Sequence, residues 1–159
     1  ALAFAVVMFP LRELFLSRTT APTSNTEKFS LVGRAWLSQQ AWSYIKEKPL
    51  TGIGAGSFVI QLAQRSGEFN FVEPVHNVPL LVLAELGPIG LGLLLALAFV
   101  MTSQIWRSHE SGVIVTSALL TGLGVITLFD HYLWSLAPGR MLFGLALGLW
   151  QGQVQAAHE

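Results

Sequence analysis

Apolar residues in this chain gather into four runs, with one long polar stretch, residues 17–77, between the first and the second. A helix that crosses the hydrocarbon core of a membrane needs about 20 mostly apolar residues. The opening run, "ALAFAVVMFPLRELFL", falls short of that and reads as the outgoing end of a helix. The second run, "VPLLVLAELGPIGLGLLLALAFVMTS" (Val78–Ser103), and the third, "GVIVTSALLTGLGVITLF" (Gly112–Phe129), each read as a span. The fourth, "MLFGLALGLW", reaches adequate length if its helix begins near Tyr132 and the Pro138-Gly139 pair is a kink. Glycine and proline inside spanning helices are ordinary, because neighbouring helices re-satisfy the freed backbone groups. The pattern predicts an all-α, polytopic membrane bundle of about four spanning segments with a partly helical loop.

The expected order is the end of a truncated transmembrane helix (1–17), an extracytoplasmic loop (18–77) and a spanning helix (78–103). A short cytoplasmic link (104–111), a second span (112–131), a bent or short last span (132–152) and a tail (153–159) complete it. Arg107 in the short link places that side in the cytoplasm, and long loops translocate largely regardless of their charge. Within the loop, "TTAPTSNTEK" reads as a turn-rich linker and "GRAWLSQQAWSYIKEK" as an amphipathic helix. Leu37, Ala41, Tyr44 and Ile45 recur there at spacings of three and four. Trp36 and Trp42 suit a membrane interface, and Pro49 should end the helix. Ser57 is a candidate N-cap for "FVIQLAQRSG". Asn77 is a candidate cap for the helix that starts at Val78, with Pro79 tolerated in its first turn.

Composition supports this picture. The chain is 52% hydrophobic and 11% charged, against roughly a quarter charged in soluble domains. Nine basic and nine acidic side chains cancel, without the basic excess that a nucleic-acid partner calls for. The absence of cysteine excludes disulfides, thiolate nucleophiles and cysteine zinc sites. The chain begins without methionine in mid-run and lacks a charged leader region, which is not how a signal peptide begins. It reads as the C-terminal piece of a larger protein.

The candidate chemistry lies around the loop. His76 stands where the loop enters the second run. A neutral imidazole there can take a proton from a hydroxyl, which is worth about 10²–10⁴-fold, or it can serve only as an interfacial hydrogen-bonding group. The nearby positive end of a helix favours the neutral ring. Arg34, one residue before the expected amphipathic helix segment "AWLSQQ", suits bidentate binding of phosphate oxygens or plain solvation at a helix start. Arg65, Lys46 and Lys48 carry the same two readings with less to recommend them. Glu85 inside an apolar run is a functional-site hypothesis by its depth, or an interfacial carboxylate if spanning begins near Pro88. Asp130, His131 and Tyr132 form a second polar cluster, which the topology returns to the same face as His76, and Arg140 is a candidate partner for Asp130. "TGIGAGS" lacks the lysine of a phosphate-binding loop and reads as a turn. No metal-binding motif is present, and no cofactor is expected.

Taken in order, "RAWLSQQAWSYIKEKPLTGIGAGSF" and "HNVPLLVLAELGPIG" resemble the C-terminal region of the O-antigen ligase and polymerase superfamily. The family's histidine motif is His, then Asn, Ser or Gln, nine residues, Gly, two residues, and Gly, Thr or Tyr. His76, Asn77, Gly87 and Gly90 meet every position. "DHYLW" and "PGRMLFGLALGL" also look like the closing helices of these proteins. The resemblance implies a metal-independent glycosyltransferase of the GT-C type in the bacterial inner membrane. It would transfer a glycan from undecaprenyl pyrophosphate to a lipid, glycan or protein acceptor on the periplasmic face. It implies His76 as base and Arg34 on the pyrophosphate. The family's second arginine has no clear counterpart: Arg12, Arg18 or the missing N-terminal helices would supply it, so this stretch alone should be inactive. The alternative from another class is a transporter of the same lipid-linked sugars that uses Arg34 and Glu85.

Overall fold

The structure is a computed structural model that describes residues 25–67 and 72–157. The opening apolar run, with Arg12 and Arg18, lies outside the described residues. Contacts divide the chain into two units, Ala1–Trp36 and Leu37–Glu159. The elements are α1 (Asn25–Glu47), α2 (Phe58–Ser66), α3 (Val78–Arg107), α4 (Ser111–Ile126), the single turn α5 (Tyr132–Ser135) and α6 (Ala137–Ala156). Among the described residues every regular element is a helix.

α1 begins within the expected linker, so the "NTEK" stretch is helical rather than turn-forming, and Arg34 lies inside the helix rather than before it. Its end at Glu47, ahead of Pro49, follows from the steric conflict between a proline ring and a preceding helical residue. The face predicted from spacing is the one that is buried: Leu37, Ala41 and Tyr44 belong to a core with Ile53, Phe58, Leu62, Val75, Leu81 and Ala84, and Ile45 packs against it. Arg65 of α2 fastens the two loop helices. Its guanidinium lies 4.5 Å from the Tyr44 ring centroid and donates to both carboxylate oxygens of Glu47 at 2.8 Å. That engagement gives Arg65 a structural task in the loop.

α3 is two helical pieces joined at Gly87, whose φ of 69° and ψ of −169° interrupt the helix before Pro88. The backbone conformation is one that only glycine adopts readily. The break frees carbonyls, since Pro88 has no N–H to return to Ala84. The glycine-rich turn supplies the missing donors: Ile53 N–H donates to the Ala84 carbonyl and Gly54 N–H to that of Glu85, each at 2.9 Å. Such close docking needs bare backbone. A Cβ on Gly52 would run into the backbone of Glu85 and Leu86, and one on Gly87 into the Leu50 carbonyl. The reading of "TGIGAGS" as a turn is correct, and its purpose is to seal a broken helix.

Beyond the break, α3, α4 and α6 share a second core of Met101, Leu120, Ala146 and Trp150. Two polar contacts cross it: Trp150 Nε1 donates to Ser117 Oγ at 2.9 Å, and the Thr102 and Thr121 hydroxyls lie 3.3 Å apart. Large apolar side chains on these helices, among them Ile89, Leu93, Phe99, Val115 and Leu145, face outward. Exposed apolar side chains in such number suit contact with lipid or with further protein. Val78–Arg107 is long and apolar enough to cross a membrane, and Ser111–Ile126 is apolar but shorter.

The third apolar run stops being helical at Ile126, ahead of the expected Phe129. Its last turn tightens as Leu128 N–H and Phe129 N–H reach back three residues to Val125 and Ile126. The fourth run breaks at Leu136, which is extended, while Pro138 sits in the first turn of α6. The bend therefore comes before Pro138-Gly139. Proline belongs in a first turn, where its missing N–H costs nothing.

Candidate functional site

The site grows out of the start of α3. Asn77 caps that helix as expected, its side-chain oxygen accepting from Leu80 N–H at 2.9 Å. The other half of the same amide donates to the Leu128 carbonyl at 2.9 Å. Val78 N–H donates to the Thr127 carbonyl at 2.8 Å. These two bonds, made by the residues directly after His76, pin the turn that follows α4 against the start of α3. The pinning brings the two polar clusters together: the His76 and His131 rings meet edge-to-face, centroids 5.0 Å apart and planes at 76°.

His76 is largely enclosed. Its Nε2 lies 3.8 Å from Glu73 Oε2, and the side chain keeps 18% of its exposure. Its Nδ1 is buried without a hydrogen-bond partner among the described residues, and so is Nδ1 of His131. Asp130 does not pair with Arg140 among the described residues; its Oδ1 accepts instead from the His131 backbone N–H. Tyr132 is exposed and its ring lies 6.0 Å from that of His131. Glu73 and Trp134 are neighbours that spacing alone did not single out.

Burial holds the His131 imidazole below its ordinary range, the Asp130 charge opposing this more weakly. The folded chain therefore resists protonation there, while the unfolded chain takes up a proton as pH falls below about 6.5. Stability is fully present above that value and is lost as pH falls through the lower folded value. His131→Phe should flatten this acid limb. Thermal unfolding of solubilised protein between pH 7.5 and 5 measures it, and an unchanged slope in the variant would contradict it.

Glu85 has a different task from the one its depth implies. It is 3% exposed, and its carboxylate accepts from the backbone N–H groups of Gly56 (3.0 Å) and Phe58 (3.1 Å). Trp134 Nε1 adds a longer contact at 3.4 Å. A carboxylate at a helix N-terminus satisfies orphan donors and the helix dipole together. Glu85 thus caps α2, the place expected of Ser57, whose side chain makes no cap bond. Gly90 is also accounted for, since a Cβ there would collide with the Leu86 side chain folded back across the break.

Beside His131 lies a cavity of about 770 Å³ whose lining is mainly apolar, from Val59, Leu81, Leu97 and Phe143. Glu85, His131 and Arg140 are its titratable members. Its size falls in the range of sites for small organic ligands. Arg34 is exposed on α1 and belongs to the Ala1–Trp36 unit. Among the described residues no group of three or more His, Asp or Glu side chains converges as metal ligands do.

No curated protein and no solved structure matches the chain. The model of a family described as O-antigen ligase matches residues 1–95. That stretch contains Arg34, the loop helices, His76, Asn77, Glu85, Gly87 and Gly90, and ends before Asp130–Tyr132. Covering more than half of the sequence, the match places the chain in the O-antigen ligase family.

Proposed function

We propose that this chain forms the acceptor-activating part of a membrane glycosyltransferase. It transfers a glycan from undecaprenyl pyrophosphate to an acceptor hydroxyl on the extracytoplasmic face. One observation carries the reading. Asn77, Glu85, Gly87 and Gly90 all have structural tasks in the fold, which leaves His76, with a buried and unpartnered Nδ1, as the motif residue with chemistry still to do. In this reading its imidazole is the base.

The step balances without a further reactant. The acceptor O–H proton passes to His76, and the acceptor oxygen bonds to the sugar's anomeric carbon from the face opposite the pyrophosphate. The bond from that carbon to the pyrophosphate oxygen breaks, and the pyrophosphate leaves with the electron pair. General base catalysis and fixed positive charge on the leaving oxygens are the two contributions required. The family resemblance gives that charge to Arg34, and the largely apolar cavity with Arg140 among its lining suits an amphiphile that carries an anionic end. Glu85, engaged by two backbone N–H groups and facing an indole N–H, is poorly placed to relay protons in a transporter.

The test uses the full-length protein in membranes supplied with an undecaprenyl-pyrophosphate glycan, with products resolved by gel. A single shifted acceptor band identifies a ligase and a ladder identifies a polymerase. Donor that crosses the bilayer with its glycan still attached contradicts the proposal. Arg34→Ala should raise the donor concentration for half-saturation about 10- to 100-fold, the scale of one charge-assisted contact. Arg34→Lys should recover part of this, and an unchanged half-saturation for Arg34→Ala would remove Arg34 from the site.

A further inference from the structure

We propose that His131, which lies beyond the stretch matched by the family, is a positioning residue for His76; this rests on His76 acting as the base. The backbone around His76 is fixed by the bonds from Asn77 and Val78 to Leu128 and Thr127. The backbone around His131 is fixed too: Asp130 accepts its N–H, and its carbonyl accepts from Trp134 and Ser135. The His76 side chain, however, makes no hydrogen bond among the described residues. Its contact with Glu73, at 3.8 Å to an exposed carboxylate, is too long for one. What sets the direction of the ring is its packing, and the ring packed against it is His131.

An edge-to-face pair constrains both the separation and the tilt of its members, because the positive edge of one ring seeks the negative face of the other. An aliphatic side chain of similar volume fills the space without setting the tilt. His131 itself is 9% exposed, so its ring is enclosed where His76 leans on it. It thereby holds the His76 imidazole in one tilt for its reaction with the acceptor.

The experiment measures glycan transfer by full-length His131→Phe, His131→Leu and His131→Ala variants in liposomes that contain the undecaprenyl-pyrophosphate donor. Phe retains a ring and should stay within about threefold of the wild-type rate at saturating donor. Leu and Ala should lose about 10- to 100-fold, the penalty for a reacting group displaced by up to an ångström. The donor concentration for half-saturation should hold in all three. Leu matching Phe would mean that volume is all that matters, and Ala matching wild type would mean that the contact is idle; either overturns the proposal. So does a Phe variant as poor as Ala, since His131 would then act through its nitrogens. His76→Ala in the same assay separates the two ideas. Activity there removes the base itself, whereas inactivity there beside a fully active His131→Leu removes only the positioning role. A readout independent of transfer covers any variant that loses activity by misfolding. In solubilised protein with ¹³C-labelled histidine, the His76 ring signal should shift in His131→Leu and be largely restored in His131→Phe. An unmoved signal in His131→Leu overturns the proposal.

Discussion

Gly87→Ala should unfold the loop from α3. At φ 69° and ψ −169° the backbone occupies a region nearly closed to residues with a Cβ, which alone costs about 1–3 kcal/mol. The added methyl would also collide with the Leu50 carbonyl. Relief of that collision pushes the glycine-rich turn away and breaks the bonds from Ile53 and Gly54 to Ala84 and Glu85. Each is worth about 1 kcal/mol net, and each leaves an unsatisfied carbonyl if lost. The sum, about 3–5 kcal/mol, is a large part of the roughly 5–15 kcal/mol that holds a domain together. Limited proteolysis of solubilised protein should show new cutting within Thr51–Ser57, together with a lower unfolding temperature. Gly92→Ala is the control: its Cβ would meet nothing within 4 Å on a helical backbone, so it should be neutral or slightly stabilising. Equal behaviour of the two variants would mean that the break at Gly87 is not what seats the loop.

The second large effect is on rate. His76→Gln should lower the rate at saturating donor by about 10²–10⁴-fold, the contribution of a positioned general base. The donor concentration for half-saturation should change little, because in the proposed mechanism His76 acts on the acceptor's proton and not on the pyrophosphate. Glutamine keeps a polar side chain at the start of α3 and leaves the Asn77 cap in place, so the variant should reach the membrane at wild-type level. A rise in half-saturation with an unchanged maximal rate would instead make His76 a binding group.

Much of this was legible in local pattern, and the reasons differ from residue to residue. The buried face of α1 follows from helical spacing, the end of α1 from Pro49, and the cap at Asn77 from its place before an apolar run. These are features that a few neighbouring residues decide. The task of Glu85 is not local. The donors it accepts belong to Gly56 and Phe58, far back in the sequence, and no property of "LAELG" announces them. A partial signal existed: Pro88 deprives the Ala84 carbonyl of its donor, so a buried break there demands N–H groups from elsewhere, and "TGIGAG" is a segment that can bring bare backbone close. The early end of α4 was equally hidden, because the Thr127 and Leu128 carbonyls are drawn off to Val78 and Asn77 across the fold. The meeting of His76 with His131 was foreseeable only as a shared face, and the ring contact is a product of that clamp. Arg34 stands in a unit of its own, Ala1–Trp36, and its role rests on the family resemblance and the chemistry of guanidinium with pyrophosphate.

The central claim is that the chain breaks the bond between a glycan and its pyrophosphate carrier with His76 as base. The most direct measurement counts the carrier. Full-length wild type and His76→Ala are reconstituted with a radiolabelled undecaprenyl-pyrophosphate glycan and an acceptor, and freed undecaprenyl pyrophosphate is quantified beside acceptor-bound glycan. Wild type should free one carrier for each glycan transferred, with both products falling together by at least about 10²-fold in His76→Ala. Carrier that keeps its glycan in the wild type, or equal release by the two proteins, would contradict it.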